Sequence, residues 1–320
     1  MAAPSSAILR RALLYVPASS PRMLAKSLGV TSDNVTYDLE DSVTPTAKPQ
    51  ARLALREHLT RLPSRPSAIR ELAVRMNAVS TPFALDDLTA LAALPRVDAI
   101  VIPKVNSASD LTFVTDALRH LAPDRHSSSS SSPIKLIALI ESARAVMDLS
   151  SICAASPYLS GLIFAAEDFA LDMSLTRTPS LSEFLYARSA IATAARAASL
   201  PSTIDLVCTS YTGEEGLARL EQECRGGKAM GFNGKQCIHP SQVETVHRLF
   251  APDEKEVEWA VRIAIADEKA VSAGRGAWTL DGAMIDAPVV GKAKAIVAKA
   301  ESCEMDIERL KNIWKDQEPE

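Results

Sequence analysis

The feature that most limits how this chain can fold is a regular alternation between short, mostly apolar runs and longer stretches of helical length. The eight runs are Ala12–Val16, Asn34–Asp38, Leu72–Met76, Ala99–Ile102, Lys135–Ile140, Gly161–Ala165, Thr203–Val207 and Lys228–Phe232. Runs that are apolar throughout are typical of strands buried on both faces of a parallel sheet. Eight such strands, each followed by a helix, predict an α/β protein with a TIM (β/α)8 barrel, and an open doubly wound sheet is the competing architecture.

The alternation stops near Pro252, and this predicts two parts of unequal size. The chain has 320 residues, which suits one barrel with an extension. We predict a TIM-barrel catalytic domain over residues 1–251 and a C-terminal helical extension over residues 252–320. The extension is expected to begin with a long helix over Glu254–Ala273.

The bulk composition excludes several classes of protein. The net charge of −4 gives none of the basic excess that is typical of nucleic-acid-binding domains, so we expect no nucleic-acid partner. Apolar stretches of the roughly 20 residues needed to span a bilayer are missing from the sequence, so we expect no membrane segment. The five cysteines form no C-x-x-C pair and fit a reducing compartment. The first residues, MAAPSSAILRR, faintly resemble a transit peptide but leave little to cleave before the first strand, so we expect an intracellular protein, either cytoplasmic or mitochondrial.

Polar residues follow six of the predicted strands, at the end where a TIM barrel carries its active site. These residues are Tyr15, Asp38, Glu40, Asp41, Arg75, Asn77, Lys104, Glu141, Glu167 and Asp168. Each of them alone could be an ordinary surface residue of a loop. Together, at the same end of six consecutive strands, they predict one site rich in ionisable groups.

Two of these acids predict a metal site. Glu141 and Asp168 follow the neighbouring fifth and sixth strands, and two convergent carboxylates make the oxygen-rich site that Mg²⁺ prefers. Zinc is not expected because no histidine or cysteine accompanies them. The alternative is a pair of loop acids that face solvent.

Arg75 is the predicted cationic residue of the site. An arginine at the end of an apolar strand is always charged, and its guanidinium group can bind a carboxylate or a developing enolate oxygen. The alternative is a salt bridge between Arg75 and an acid of the second strand.

Sequence blocks that contain these residues resemble the citrate lyase beta-subunit-like proteins of the HpcH/HpaI aldolase group. The blocks are RRALLYVPASSPRMLAKS, YDLEDSVTPTAK, VRMN, VIPKV, LIALIES, AAEDFALDMS, FLYARSAI, AMGFNGKQCIHPSQV and GAMIDAP. The GKQCIHP and MIDAP segments are most similar to the eukaryotic, stand-alone form. The resemblance implies a Mg²⁺-dependent lyase that cleaves a 3-hydroxyacyl-CoA thioester, of the citramalyl-CoA or malyl-CoA type, to acetyl-CoA and a 2-oxo acid. A reversible, malate synthase-like reaction remains open.

The same resemblance implies roles for particular residues. Glu141 and Asp168 match the magnesium ligands, and Asp286 matches a catalytic acid/base that reaches the site of a neighbouring subunit in a homo-oligomer, often a trimer. The residues that match contacts to the coenzyme A thioester substrate are Tyr15, Arg22, Lys26, Arg75, Ile238 and His239. Without the resemblance, Arg22 and Lys26 would be two solvated charges on one helix face, and His239 a turn residue that caps the next helix.

The sequence departs from the family pattern at several positions, and the identity of the substrate therefore stays open. Ala18 stands where the family commonly has glycine, Ala165-Ala166 replaces Gly-Gly, and Ser142 replaces threonine. A methyl group in place of hydrogen narrows the approach of a ligand to the backbone. Two alternative functions remain: an aldolase for free 2-oxo acids that needs no coenzyme A, and a citrate lyase beta subunit that acts on an acyl-carrier-protein thioester within a complex.

Overall fold

The computed structural model describes residues 8–127 and 129–320, so residues 1–7 of the predicted N-terminal tail lie outside the described residues. The described chain forms two compact units, one over Arg10–His247 and one that contains Arg248–Glu320. The predicted boundary at residue 251 and the predicted role of the extension stay predictions.

The first unit is a closed barrel of eight parallel strands in the order β1 to β8. The strands are β1 Ala12–Pro17, β2 Ser32–Asp38, β3 Ile69–Arg75, β4 Ala99–Ile102, β5 Lys135–Ile140, β6 Leu159–Phe164, β7 Ser202–Asp205 and β8 Gly234–Cys237. Because β8 pairs with β1, with Ala12 opposite Lys235, the sheet has no free edge. The TIM-barrel prediction is therefore confirmed, and the open-sheet alternative is wrong.

Helices alternate with the strands around the barrel. They are α1 Pro21–Ser27, α2 Lys48–Arg61, α3 Ala84–Leu91, α4 Ala108–Leu121, α5 Ala143–Met147, α6 Leu149–Ala154, α7 Ala166–Met173, α8 Leu185–Ala197, α9 Gly213–Ala229 and α10 Val243–Phe250. The helix α1 begins as its sequence suggests, since Ser20 accepts a hydrogen bond from the Met23 N–H and Pro21 takes the first helical position.

Apolar side chains fill the inside of the barrel. One buried cluster joins small and branched residues from six strands: Leu13, Ala73, Ala99, Val101, Ile137, Leu139, Ile163 and Ile204. Tyr15 and Ala165 are partly buried and pack against this cluster. The interior is thus a packed core rather than a pore. The place for a ligand is the end of the barrel at which the C-terminal ends of the strands lie, called the mouth from here on.

The predicted eighth strand, Lys228–Phe232, is wrong. Lys228 belongs to α9, which continues through Ala229, and β8 is the polar segment Gly234–Cys237. A polar segment can be buried here because the Nζ of Lys235 lies 3.0 Å from a carboxylate oxygen of Glu223. Glycine is required at position 234, since a Cβ there would lie 1.9 Å from the carbonyl oxygen of Arg10.

The second unit consists mainly of helices. Its elements are α11 Glu254–Ser272, β9 Trp278–Leu280, β10 Ala283–Ile285, α12 Ala287–Ser302 and α13 Ile307–Ile313. The strands β9 and β10 form an antiparallel hairpin that the sequence analysis did not predict. None of the helices in residues 8–127 and 129–320 is both long and apolar enough to cross a bilayer.

Candidate active site

A cavity of about 390 Å³ opens at the C-terminal ends of the barrel strands. Most of the strand-end residues expected at the mouth line it. The lining residues are Tyr15, Pro17, Asp38, Asp41, Ser42, Arg75, Leu139, Ala165, Ala166, Glu167, Asp168, Val207, Gln236 and Ile238. The barrel therefore gathers side chains from both halves of the first unit at one site.

Arg75 is fixed by the acids that follow β2. Its Nε and Nη2 donate hydrogen bonds of 2.7 and 2.8 Å to the two carboxylate oxygens of Asp38. Its Nη1 lies 3.1 Å from a carboxylate oxygen of Glu40. Burial alone would raise the pKa of Asp38, but the hydrogen bonds and charge of Arg75 outweigh it and lower that pKa. The salt bridge with the second strand is thus present, and the catalytic role of Arg75 stays a prediction.

Tyr15 lies beside this arginine and is held by a residue that the sequence analysis missed. The guanidinium carbon of Arg75 lies 4.7 Å from the centre of the Tyr15 ring. The Tyr15 hydroxyl donates a 3.0 Å hydrogen bond to Oε1 of Gln236. Nε2 of Gln236 in turn donates to the carbonyl oxygen of Phe164 at 2.9 Å, which fixes the orientation of the amide. Burial raises the pKa of Tyr15, so its hydroxyl stays protonated at neutral pH.

Glu141 and Asp168 form a pair of like charges on the other side of the mouth. Glu141 directly follows β5, and Asp168 lies in the first turn of α7. The backbone N–H of Lys104 donates a 2.7 Å hydrogen bond to Oε1 of Glu141. Burial raises the pKa of Glu141 to about 8, and the negative charge of Asp168 contributes to the rise. Asp168 is thus close enough to Glu141 to oppose the ionisation of the Glu141 carboxyl group.

These two residues fit a hard divalent cation. Clusters of three or more histidine, cysteine, aspartate or glutamate side chains placed to hold a metal do not occur among the described residues. Mg²⁺ commonly takes only one or two protein carboxylates and keeps water or substrate oxygens at its other positions. Burial, with the negative charge of Asp168 as a smaller cause, raises the pKa of Glu141, and a bound cation would favour the ionised form of this carboxyl group.

Lys104 places a positive charge among the acids of the mouth. Its Nζ lies 2.5 Å from Oε1 of Glu40, 3.6 Å from Asp41 and 3.7 Å from Asp168. Lys104 is one of few non-glycine residues with a positive φ, at 51°. The sequence placed Lys104 at the mouth, but nothing in the sequence signals which acids it contacts.

The residues expected to bind coenzyme A do not all line the cavity. Ile238 lines the cavity, and the neighbouring His239 caps the turn at Pro240–Gln242 by accepting a hydrogen bond from the Ser241 N–H. The ring of His239 stacks on Tyr211, with 4.9 Å between centroids. Arg22 and Lys26 are exposed on α1 and do not line the cavity.

Asp286 belongs to the second unit, where it is the N-cap residue of α12. Its Oδ1 accepts a 3.2 Å hydrogen bond from the Val289 N–H. Its predicted catalytic role stays a prediction.

Ala165 and Ala166, which replace Gly-Gly, both line the cavity of the first unit. Ala165 has φ −98°, a conformation open to any residue, and the two alanines add two methyl groups to the cavity lining.

Similarity to known proteins decides the family. A family model described as HpcH/HpaI aldolase/citrate lyase matches residues 11–240. The chain belongs to this family. A second model, described as a C–C bond lyase of the TIM-barrel fold, matches residues 183–302. Its description agrees with the closed barrel that the structure shows.

Named members of the HpcH/HpaI family align with nearly the whole chain. Citrate lyase subunit beta of Haemophilus influenzae is 36% identical over 92% of this chain and 98% of its own length. The mitochondrial citramalyl-CoA lyase of Homo sapiens is 32% identical, over 92% of this chain and 86% of its own. The (3S)-malyl-CoA thioesterase of Cereibacter sphaeroides is 34% identical, over 91% and 95%. The chain is accordingly an enzyme, a carbon–carbon lyase.

Solved structures that match this chain include one with a metal ion, a small organic acid and coenzyme A bound. The CitE protein of Mycobacterium tuberculosis, in complex with magnesium, acetoacetate and coenzyme A, matches with a TM-score of 0.71 and 30% identity. The match covers 92% of this chain and 98% of that one.

Proposed function

We propose that this enzyme is a Mg²⁺-dependent lyase that cleaves a 3-hydroxyacyl-CoA, of the citramalyl-CoA or malyl-CoA type, to acetyl-CoA and a 2-oxo acid. The observation that carries the proposal is the acid pair at the barrel mouth: Asp168 lines the same cavity as Arg75, and Glu141, which directly follows β5, lies close enough to Asp168 to feel its charge. The names of the human citramalyl-CoA lyase and of the magnesium-bound CitE structure support it.

The acid pair and the arginine would act on different parts of the substrate. Glu141 and Asp168 would hold the ion, which when bound draws electron density from the substrate hydroxyl and carboxylate oxygens. The bond between the hydroxyl-bearing carbon and the thioester α-carbon breaks, the hydroxyl proton leaves to a base, and the electron pair passes to the α-carbon as an enolate. Arg75 would offset the enolate charge, and because Asp38 fixes its guanidinium group, little reorganisation is needed as that charge develops.

The remaining predicted residues would bind the thioester and complete the proton transfers. The exposed cations Arg22 and Lys26 suit phosphate groups of coenzyme A, and Tyr15, Ile238 and His239 supply contacts at the rim. Asp286 of a neighbouring subunit in a homotrimer would donate a proton to the enolate α-carbon, which yields acetyl-CoA. In the reverse direction the same carboxylate would remove that proton.

The test is a cleavage assay on the purified chain alone. Citramalyl-CoA, malyl-CoA and β-methylmalyl-CoA are each incubated with Mg²⁺, with and without a chelator, and acyl-CoA, free coenzyme A and 2-oxo acid are quantified separately. We expect equal amounts of 2-oxo acid and acyl-CoA, which is acetyl-CoA from the first two substrates and propionyl-CoA from the third, with turnover lost in chelator. Arg22→Ala with Lys26→Ala should raise the thioester KM, whereas an unaltered KM would favour the aldolase for free 2-oxo acids.

A second candidate is the beta subunit of a citrate lyase complex, which the 36% identity to the Haemophilus influenzae subunit favours. In that case the purified chain would be inactive on coenzyme A thioesters and active on the acyl-carrier-protein thioester. Free coenzyme A without acetyl-CoA would instead show a thioesterase and contradict the lyase proposal.

A further inference from the structure

At the barrel mouth, some acidic side chains are paired with a cationic side chain at short distance and others are not. Arg75 binds Asp38 with two hydrogen bonds, and the Nζ of Lys104 lies 2.5 Å from Oε1 of Glu40. Across the described residues, no ammonium or guanidinium nitrogen lies within hydrogen-bond distance of Glu141 or Asp168, and the nearest recorded approach is Lys104 Nζ at 3.7 Å from Asp168. Both cations therefore make their shortest contacts with acids of the β2 end, and the approach of Lys104 to Asp168 stays about 1 Å longer than a hydrogen bond.

Glu40 is placed to decide where the Lys104 ammonium group goes. Its side chain is only 7% exposed. One carboxylate oxygen, Oε1, contacts the Nζ of Lys104, and the other, Oε2, lies 3.1 Å from Nη1 of Arg75. The Lys104 side chain is 38% exposed and ends in a flexible point charge. A shift of roughly 1 Å would bring its Nζ to hydrogen-bond distance from Asp168.

The backbone of Lys104 keeps that side chain next to the acid pair. Its left-handed conformation, with φ 51°, presents the N–H to Oε1 of Glu141 at 2.7 Å. Lys104 is thus anchored to one acid of the pair through its backbone. The direction of its ammonium group is then set by whichever carboxylate attracts it most.

We propose that Glu40 is a positioning residue that holds the Lys104 ammonium group away from Asp168, and so keeps Glu141 and Asp168 available to a divalent cation. The inference rests on the proposed function, because it assumes that this acid pair binds the ion. It adds a residue pair to which neither the sequence pattern nor the family resemblance gave a role.

The proposal predicts effects of opposite sign for the two partners of one ion pair. Glu40→Gln frees the ammonium group to pair with Asp168, so the Kd for Mg²⁺ should rise about tenfold or more, since direct charge pairs are strongest at short range. Lys104→Met removes the competing cation, so the Kd should stay equal or fall. The double variant should return to within about threefold of the wild type. A purely structural ion pair would instead weaken binding in both single variants.

The experiment measures cation binding to the full chain without substrate. Mg²⁺ is titrated by calorimetry, and Mn²⁺ is titrated by electron paramagnetic resonance as a second readout. Asp41→Asn is the matched control, because it removes the same charge from a residue that is 57% exposed and lies 3.6 Å from Lys104 Nζ. We expect its Kd to change by less than about threefold, because exposed pairs are weak. Thermal melting checks that each variant is folded.

The outcomes separate the inference from the proposed function. If Glu141→Gln binds Mg²⁺ as tightly as the wild type, both the proposed metal site and the role proposed for Glu40 are contradicted. If Glu141→Gln loses binding but Glu40→Gln matches the wild type or Asp41→Asn, only the inference is overturned. Should Glu40→Gln fail to fold, Lys104→Met still decides, since weaker Mg²⁺ binding in that variant contradicts the inference.

Discussion

At the scale of single residues, acids at the same barrel mouth behave differently because their neighbours differ. Asp38 is almost fully buried and has a lowered pKa, because two hydrogen bonds from Arg75 outweigh the effect of burial. Glu141 is also buried, but its pKa is raised to about 8 by burial and by the negative charge of Asp168. Asp38 is therefore suited to hold the arginine, and Glu141 to receive a cation.

Replacement of Glu141 should separate activity from stability. Burial and Asp168 disfavour the ionised form of Glu141, and Glu141→Gln replaces the carboxyl group with a neutral amide of the same shape, so we expect the melting temperature of the cation-free protein to be equal to or higher than that of the wild type. Lyase turnover should fall by about 100-fold or more, because removal of one electrostatic group at a reacting centre commonly costs that much. Thermal melting in chelator and the thioester assay measure the two effects. A clearly lower melting temperature would show that Glu141 supports the fold.

The sequence predicts which residues reach the mouth but not how they pair. Strand ends are readable from apolar runs, and this placed Arg75, Lys104 and Glu141 at the mouth correctly. The bond from Lys104 to Glu40 joins residues 64 positions apart, and the bond from Tyr15 to Gln236 joins residues 221 positions apart. Such pairs depend on side-chain directions that only the closed barrel defines.

At the scale of elements, the eighth strand shows where apolar patterning fails. The first seven strands all overlap the predicted runs, whereas β8 consists of Gly234, Lys235, Gln236 and Cys237 and lies outside the predicted run. Lys235 is fully buried and lies against Glu223, and Gln236 is satisfied by backbone carbonyl groups. A strand whose polar groups are paired inside the protein looks like a loop in the sequence.

The buried pair of β8 and α9 should matter for stability. Lys235→Met removes one cationic partner of the buried Glu223 carboxylate and leaves Arg177, at 2.8 Å, as another, so we expect a loss of about 3 kcal/mol in the free energy of unfolding. The double variant Lys235→Met with Glu223→Gln should recover part of that loss. Urea unfolding of each variant measures it. Equal stability of Lys235→Met and wild type would show that the pair contributes little.

At the scale of the whole molecule, partly buried histidines should make stability depend on pH. Burial lowers the pKa of His58, His126 and His247 below the usual value of 6.5. The unfolded chain then takes up protons before the folded protein does, so stability is fully present above about pH 6.5 and declines as the pH falls through the lowered values. Glu40 and Glu141 have raised pKa values and act in the opposite direction, so the share of the histidines is read from the difference in melting temperature between wild type and His247→Gln from pH 8 to pH 5. We expect the wild type to lose more stability than His247→Gln as the pH falls, and equal slopes would remove His247 as a cause.

The proposed exchange of Asp286 between subunits can be tested with two inactive variants. In a homo-oligomer that mixes Asp286→Asn with Glu141→Gln subunits, some sites would combine an intact acid pair with an intact Asp286 of the partner chain. We therefore expect co-expressed mixtures to recover part of the lyase activity that each variant lacks alone. No recovery in verified hybrids would mean that Asp286 does not act across subunits.

The most direct test is to locate a divalent ion crystallographically. The enzyme would be crystallised with Mn²⁺ and a 2-oxo acid, and anomalous scattering would give the position of the metal. We predict one peak between Glu141 and Asp168, roughly 2.0–2.3 Å from an oxygen of each, with Arg75 in contact with the bound acid. Carboxylates that turn away from each other, with the manganese peak elsewhere, would contradict the account.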